Sequence, residues 1–286
     1  MARNPQSPVR VRAFAKVILS LRVLATRPDG YHELRTIFQS IALHDTLTIR
    51  AARGPFRLTC DDPNCPADYT NLIWRAADAM WKAARRQGNP RDVAIDLQKR
   101  IPMHAGLGGG SSDAAAALRV FARMWRVEEA RARAIGRELG ADVPYFFEGG
   151  TLLGLERGDL LFPLIDRPPA WVVLVFPSFG VSTKEAFAWW DACRSLERLA
   201  LTPNRLLNDL EAVVSKRHPE IARIVTRLRN AGASQAAMSG SGSTVFGLFG
   251  SQATAARAAR ALRARSRQVQ VTTLLNRARY QRLAAI

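Results

Sequence analysis

Cysteine is scarce in this chain of 286 residues: Cys60, Cys65 and Cys193 are odd in number and lack CxxC spacing. That excludes a disulfide framework or a cysteine-based zinc site and fits a reducing compartment. Acidic residues are few, 24 against 42 basic ones, for a net charge of +18. Lysine is rarer still, with 5 Lys beside 37 Arg. No apolar run approaches the ~20 residues that cross a bilayer. Met1 to Thr26 is basic and free of acids, but Lys16 and Arg22 interrupt its apolar stretch and no small-residue cleavage pattern follows. A mature, soluble, cytoplasmic protein with no membrane partner is expected. With 48% hydrophobic residues the chain is neither disordered nor fibrous, and its length suits one large domain or two ordinary ones.

The positive charge attracts polyanions such as nucleotides, nucleic acids or anionic membranes. The segment Ser251 to Ile286 holds eight Arg and no acid, which would suit a nucleic-acid-binding tail or a solvated helix face followed by a strand. The second reading is adopted, and no nucleic-acid partner is expected.

Repeats and low-complexity linkers are missing too. Val11–Val23 and Thr36–Ile49 read as strands flanking the turn Pro28-Asp29-Gly30. Asn71 is placed to cap a helix whose apolar positions Ile73, Ala77, Met80, Trp81 and Ala84 recur at helical spacing. A strand Val93–Leu97 leads to a glycine-rich loop, a helix from about Ser112 to Trp125, and a helix Glu128–Leu139 stopped by Gly140. The second half offers strands at Leu152–Leu155, Trp171–Phe176, Thr244–Phe249 and Val269–Leu275, with helices near Thr183–Arg198, Pro219–Asn230 and Ala253–Arg265. This uneven alternation predicts an α+β fold. The double glycine Gly149-Gly150 sets a division into residues 1–151 and 152–286.

The strongest local signal is Gly106-Leu107-Gly108-Gly109-Gly110-Ser111-Ser112-Asp113, running straight into an Ala-rich helix. Glycines let backbone N–H groups approach an anion, the helix start adds partial positive charge, and two hydroxyls are placed to cap it. The pattern lacks the Gly-Lys-Ser/Thr ending of a P-loop and does not fit GxGxxG. Lys16 sits in the apolar strand Phe14-Ala15-Lys16-Val17-Ile18-Leu19 of a protein that otherwise chooses Arg. It is a candidate active-site cation or, read alone, an outward-facing strand residue. Asp142, where a helix ends before Val143-Pro144, could take a proton from an alcohol or simply stabilise a turn that Pro144 forces to extend. Tyr31 and His32 could stack on a base and bond its edge, or form an ordinary turn with a buried aromatic. Ser239-Gly240-Ser241-Gly242-Ser243 is a second small-residue loop that could bring backbone donors and hydroxyls to a ligand, or be a plain β-turn.

In order, AKVILSL, PDGYHELRTIFQSIALHDTLTI, IPMHAGLGGGSSDAAAAL, LGADVPYF, NDLE and MSGSGSTVFG resemble the GHMP small-molecule kinase superfamily over most of the chain. DGYHEL with GADVP resembles its branch acting on cytidylated methylerythritol in non-mevalonate isoprenoid synthesis. The resemblance implies a two-domain GHMP kinase fold, with a ribosomal-S5-domain-2-like N-terminal domain, a ferredoxin-like C-terminal domain and the active site between them. It implies ATP and Mg²⁺ as cofactors, with no dedicated protein metal site, and a chain that is a monomer or weak homodimer. The implied catalytic pair is Lys16 with Asp142 as general base, acting on the 2-hydroxyl of 4-(cytidine 5'-diphospho)-2-C-methyl-D-erythritol. Pro102, Met103, His104, Ala105, Gly106, Leu107, Gly108, Gly109, Gly110, Ser111 and Ser112 correspond to the ATP-binding run, and Tyr31, His32 and Phe187 to the residues holding cytosine. One position departs: the family's strand usually reads Ala-Lys-x-Asn-Leu, and Ile18 stands in the Asn place, for which Ser20 or water would have to substitute. The readings set against this one are another GHMP kinase, for homoserine or mevalonate, and a nucleic-acid-binding protein on an S5-like scaffold.

Overall fold

The computed structural model describes residues 7–194 and 208–286. Two long strands, β1 (Val9–Thr26) and β2 (His32–Pro55), pair antiparallel, Val9 opposite Ile49 and Thr26 opposite His32. The turn between them is held by the Gly30 amide donating to the Arg27 carbonyl at 3.0 Å and the Tyr31 amide to Asp29 Oδ1 at 3.1 Å. β3 (Arg57–Cys60), α1 (Leu72–Ala83) and β4 (Arg91–Gln98) follow. Asn71 caps α1 as its sequence requires, its side chain accepting from the Ile73 amide at 2.9 Å. Next come α2 (Gly109–Trp125), α3 (Glu129–Leu139), the short α4 (Tyr145–Glu148), β5 (Thr151–Glu156) and β6 (Leu160–Pro163). The first sheet has the order β3-β4-β2-β5-β6 with β1 also on β2; its β3–β4 pair is parallel.

The second sheet comprises β7 (Trp171–Pro177), β8 (Gln235–Met238), β9 (Val245–Phe249) and β10 (Arg267–Thr273) in the order β10-β7-β9-β8, all antiparallel. Between and after these strands lie α5 (Thr183–Arg194), α6 (Asp209–Arg217), α7 (Glu220–Asn230), α8 (Gln252–Leu262) and α9 (Arg277–Ala284). Numbered within this unit the strands run 4-1-3-2, the ferredoxin-like arrangement. The remainder of the expected helix Thr183–Arg198 lies outside the described residues. The Arg-rich C-terminal segment is a helix, a strand and a further helix: α8 buries Ala255, Ala258, Ala259 and Leu262 and leaves Arg257 and Arg260 exposed.

β7 reads WVVLVFP and is buried on both faces, as a continuous apolar run requires. Val173 and Val175 join the core that includes α6 to α8. Val172, Leu174 and Phe176 pack with Ala15, Val17 and Leu19 of β1. The second sheet thus lies on one face of β1, and period-two alternation sends Lys16 and Ile18 to the other. There the Ala-rich α2, with Ala114 to Ala117 buried, packs closely on α1, α3 and β1.

The expected division at 151 falls inside the first sheet, because β5 and β6 pair on from β2 and the change of sheet comes between Pro163 and Trp171. Gly149-Gly150 is a close approach rather than a linker. With φ of +68° and +75°, these residues lie against Tyr280 and Arg277 of α9, where a Cβ would collide.

Candidate active site

Lys16 is 3% exposed, and its ammonium lies 3.2 Å from Asp142 Oδ2. Its side chain is therefore not the outward-facing strand residue that sequence alone allows. The Asp142 side chain is 38% exposed, so the carboxylate is open to a ligand while the ammonium behind it is not. Asp142 is in the turn between α3 and α4. Contrary to the expectation of an extended segment, Pro144 adopts φ −55°, ψ −37° and opens α4, where its missing N–H costs nothing.

The glycine loop runs against Lys16. The Lys16 amide donates to the Leu107 carbonyl at 3.0 Å, and a Cβ on Gly108 would stand 3.1 Å from Lys16 Cε and 2.8 Å from Phe146 Cζ. Gly108 is left-handed, φ +72°, and precedes α2 without any side-chain cap. Helix α2 begins at Gly109, earlier than the expected Ser112, so both serines lie in its first turn rather than capping it. Gly109, Gly110 and Ser111, whose amides have no carbonyl one turn back to bond, line a cleft of about 1120 Å³. Pro102 to Ser111, Lys16, Asp142, Tyr31, His32 and Phe187 line it too. Ser112 does not: it is 2% exposed and its hydroxyl donates to the Phe14 carbonyl at 2.7 Å, tying α2 to β1.

At the other end, the His32 and Phe187 rings stack with centroids 4.6 Å apart, and His32 Nε2 meets Asp191 Oδ1 at 2.8 Å. A stacked pair this close admits no base between its rings. Phe187 is partly buried and lines the cleft, whereas Tyr31 is 56% exposed rather than buried and has the Arg157 guanidinium 5.3 Å from its ring centroid.

The second small-residue loop is a brace for the first, and a buried ion cluster escaped sequence reasoning altogether. Ser239 accepts from the Ile18 amide at 3.1 Å and donates to the Gly106 carbonyl at 3.0 Å, which locks the second small-residue loop onto the first. Asn208 caps α6 and donates to the Met238 and Gly240 carbonyls at 2.8 and 2.7 Å. The ion cluster is buried beside Gly109, where the Lys99 ammonium bridges Asp45 at 2.5 Å and Asp113 at 2.9 Å. The rarity of lysine that marks Lys16 marks Lys99 equally. Burial pulls the Lys99 ammonium down, but the Asp113 and Asp45 carboxylates outweigh it and hold its pKa above the ordinary value.

Burial pushes the Asp113 carboxyl up to about 7, with Lys99 opposing and Asp45 adding. Its Oδ1 has no hydrogen-bond partner. The unfolded chain releases this proton near 3.8 and the folded chain keeps it to about 7, so across that window the folded state binds more protons and stability falls as pH rises. Asp113→Asn removes this dependence. In denaturant titrations the variant is expected to gain on the wild type from pH ~4 to ~7, by at most about 1.4 kcal/mol per pH unit. Parallel pH profiles for the two proteins would contradict it.

Family models place this pair of sheets and its glycine turn among the small-molecule kinases of the GHMP class. The GHMP kinases N terminal domain model matches residues 71–150 and the GHMP kinases C terminal model residues 191–268. Among curated proteins, the 4-diphosphocytidyl-2-C-methyl-D-erythritol kinase of Solibacter usitatus is 46% identical over 84% of this chain and 80% of its own. That of Pelotomaculum thermopropionicum is 43% identical over 82% and 87%. A crystal structure of 4-(cytidine 5'-diphospho)-2C-methyl-D-erythritol kinase superposes with a TM-score of 0.78 at 36% identity, covering 93% of this chain and 99% of that one. The mevalonate kinase of L. major, at 16% identity and TM-score 0.68 over 96% of this chain and 98% of that one, shares the fold. The chain belongs to the 4-diphosphocytidyl-2-C-methyl-D-erythritol kinase family. Among the described residues no helix is long and apolar enough to cross a membrane.

Proposed function

We propose that this kinase transfers the γ-phosphoryl group of ATP to the 2-hydroxyl of 4-(cytidine 5'-diphospho)-2-C-methyl-D-erythritol, with Asp142 as general base and Lys16 as its electrostatic partner. The observation that carries the reading is the 3.2 Å contact between an enclosed ammonium and an open carboxylate beside a glycine turn. Phosphoryl transfer needs positioning and charge neutralisation more than covalent chemistry. The amides of the α2 first turn cradle the phosphates, Lys16 neutralises charge on the transferred group, and Asp142 accepts the alcohol proton. Tyr31 and Phe187 offer aromatic faces to cytosine, and the Asp191 contact orients the His32 ring beside them.

Among the described residues no three His, Cys, Asp or Glu side chains cluster to hold a metal. Magnesium keeps several waters and takes most of its other ligands from phosphates, so it would arrive on the nucleotide, with the Asp142 carboxylate and Ser111 hydroxyl of the cleft as candidate ligands. Bound there, it would supply neutralisation of the phosphate charge. A positive field on a +18 protein speeds the encounter with two anionic substrates. The test is ADP release: rapid turnover is expected with the cytidylated methylerythritol and little without it or with homoserine or mevalonate. Equal turnover of a different alcohol would overturn the assignment.

A further inference from the structure

The side chain two places beyond Lys16 on β1 is Ile18, and the pairing of β1 with β2 is regular across both, Lys16 opposite Ser40 and Ile18 opposite Phe38. The two side chains therefore leave the same face of the strand about 7 Å apart. Ile18 lines the cleft, as do Leu21, Val181 and Leu210. It is 7% exposed and held in place: its amide is bonded to Ser239, and a Cβ on Gly240 would stand 3.2 Å from Ile18 Cδ1. Ser20 lies outside the cleft lining, and the Ser239 hydroxyl already donates to Gly106. The wall next to the reacting pair is thus apolar although the substrate is rich in hydroxyls.

We propose that Ile18, backed by Leu21 and Leu210, is a specificity-determining seat for a carbon substituent on the carbinol that is phosphorylated, so that the site selects a tertiary, methyl-bearing alcohol over its secondary counterpart. The inference rests on the proposed function, in whose substrate a methyl group and the reacting hydroxyl share one carbon. With the hydroxyl at Asp142 and the phosphoryl group near Lys16, a further substituent on that carbon is one side-chain spacing from Ile18. A methyl group placed there leaves water for an apolar contact. A hydrogen in its place leaves a gap against a wall pinned by backbone bonds, which cannot collapse to fill it. A single methyl in an apolar pocket discriminates by roughly 10–200-fold.

The experiment compares kcat/KM for the cytidylated methylerythritol and for its desmethyl analogue, cytidylated erythritol, in the wild type, Ile18→Leu, Ile18→Ala and Ile18→Asn. The ratio of the two values is independent of the fraction of each variant that folds. The wild type is expected to favour the methylated substrate by about 10-fold or more. Ile18→Leu should keep most of that preference, and Ile18→Ala and Ile18→Asn should lose most of it. A wild-type ratio near one, or a ratio unchanged in Ile18→Ala and Ile18→Asn, overturns the role of Ile18 while leaving the proposed reaction standing. Failure of the wild type to use either cytidylated alcohol overturns the proposed reaction, and this inference with it.

Discussion

Asp142→Asn is expected to lower kcat by ~10²–10⁴, the range for removing a positioned general base. Asparagine keeps the size of the side chain and can still face the Lys16 ammonium through its carbonyl oxygen, but it cannot take the alcohol proton. The effect should therefore fall on kcat, with the KM values for ATP and acceptor little moved, because the lost interaction belongs to the transition state. Because Asp142→Asn leaves the buried Lys16 ammonium with a neutral partner, some loss of stability is expected as well, and kcat is to be read per folded enzyme at a temperature below the variant's unfolding midpoint. Steady-state ADP release with both substrates saturating measures the effect. Near-normal turnover by Asp142→Asn would remove the carboxylate from the chemistry.

Lys99→Met is expected to destabilise the fold by ~3–5 kcal/mol, the cost of breaking a buried ion pair from one side. The side chains of Lys99, Asp45 and Asp113 are 6%, 0% and 3% exposed, so little solvent is at hand to replace the ammonium even though Lys99 and Asp113 border the cleft. Asp45 would keep its bonds from the Arg100 and Ile101 amides, whereas Asp113 would lose its neutralising partner. The double variant Lys99→Met with Asp113→Asn should recover part of the loss, because the uncompensated carboxylate is then gone. Equilibrium unfolding in denaturant reads both. A loss under about 1 kcal/mol in the single variant would mean that the cluster is solvated in solution.

Long segments with one strong pattern were readable in the residues, and short or context-held ones were not. The Asn71 cap with its apolar period located α1, and the run Val172 to Phe176 located a strand buried on both faces. β3, β6 and β8 have four residues each, too few for alternation to stand out from chance. α9 reads as a polar, Arg-rich tail because its apolar face is only Tyr280, Leu283 and Ala284, and its other ties are polar: the Tyr280 hydroxyl donates to the Phe146 carbonyl at 2.7 Å and Arg277 to the Thr151 carbonyl at 3.0 Å.

The site divides the same way. Lys16 could be singled out as a lysine among arginines, and the glycine loop by its density, but their meeting with Asp142 is a tertiary fact that spacing does not carry. The serines after the loop mimic a helix cap, and only the left-handed turn at Gly108 shows that the helix has already started. Lys99 looks like one more basic residue beside Arg100 until the chain brings Asp45 and Asp113 around it.

The change of sheet between Pro163 and Trp171 is not a boundary between independent folding units. After completing the second sheet the chain returns: the Leu275 amide donates to the Ser40 carbonyl at 2.9 Å, Arg277 reaches the Thr151 carbonyl at 3.0 Å, and the Tyr280 ring lies 5.6 Å from that of Phe14. A polypeptide cut at the change of sheet would leave the leading fragment with a bare socket at Gly149 and Phe14, and the trailing fragment with its plug in water. Each piece would expose apolar surface that the intact chain buries, and the cleft, lined from both sides of the change of sheet, would lose one of its walls.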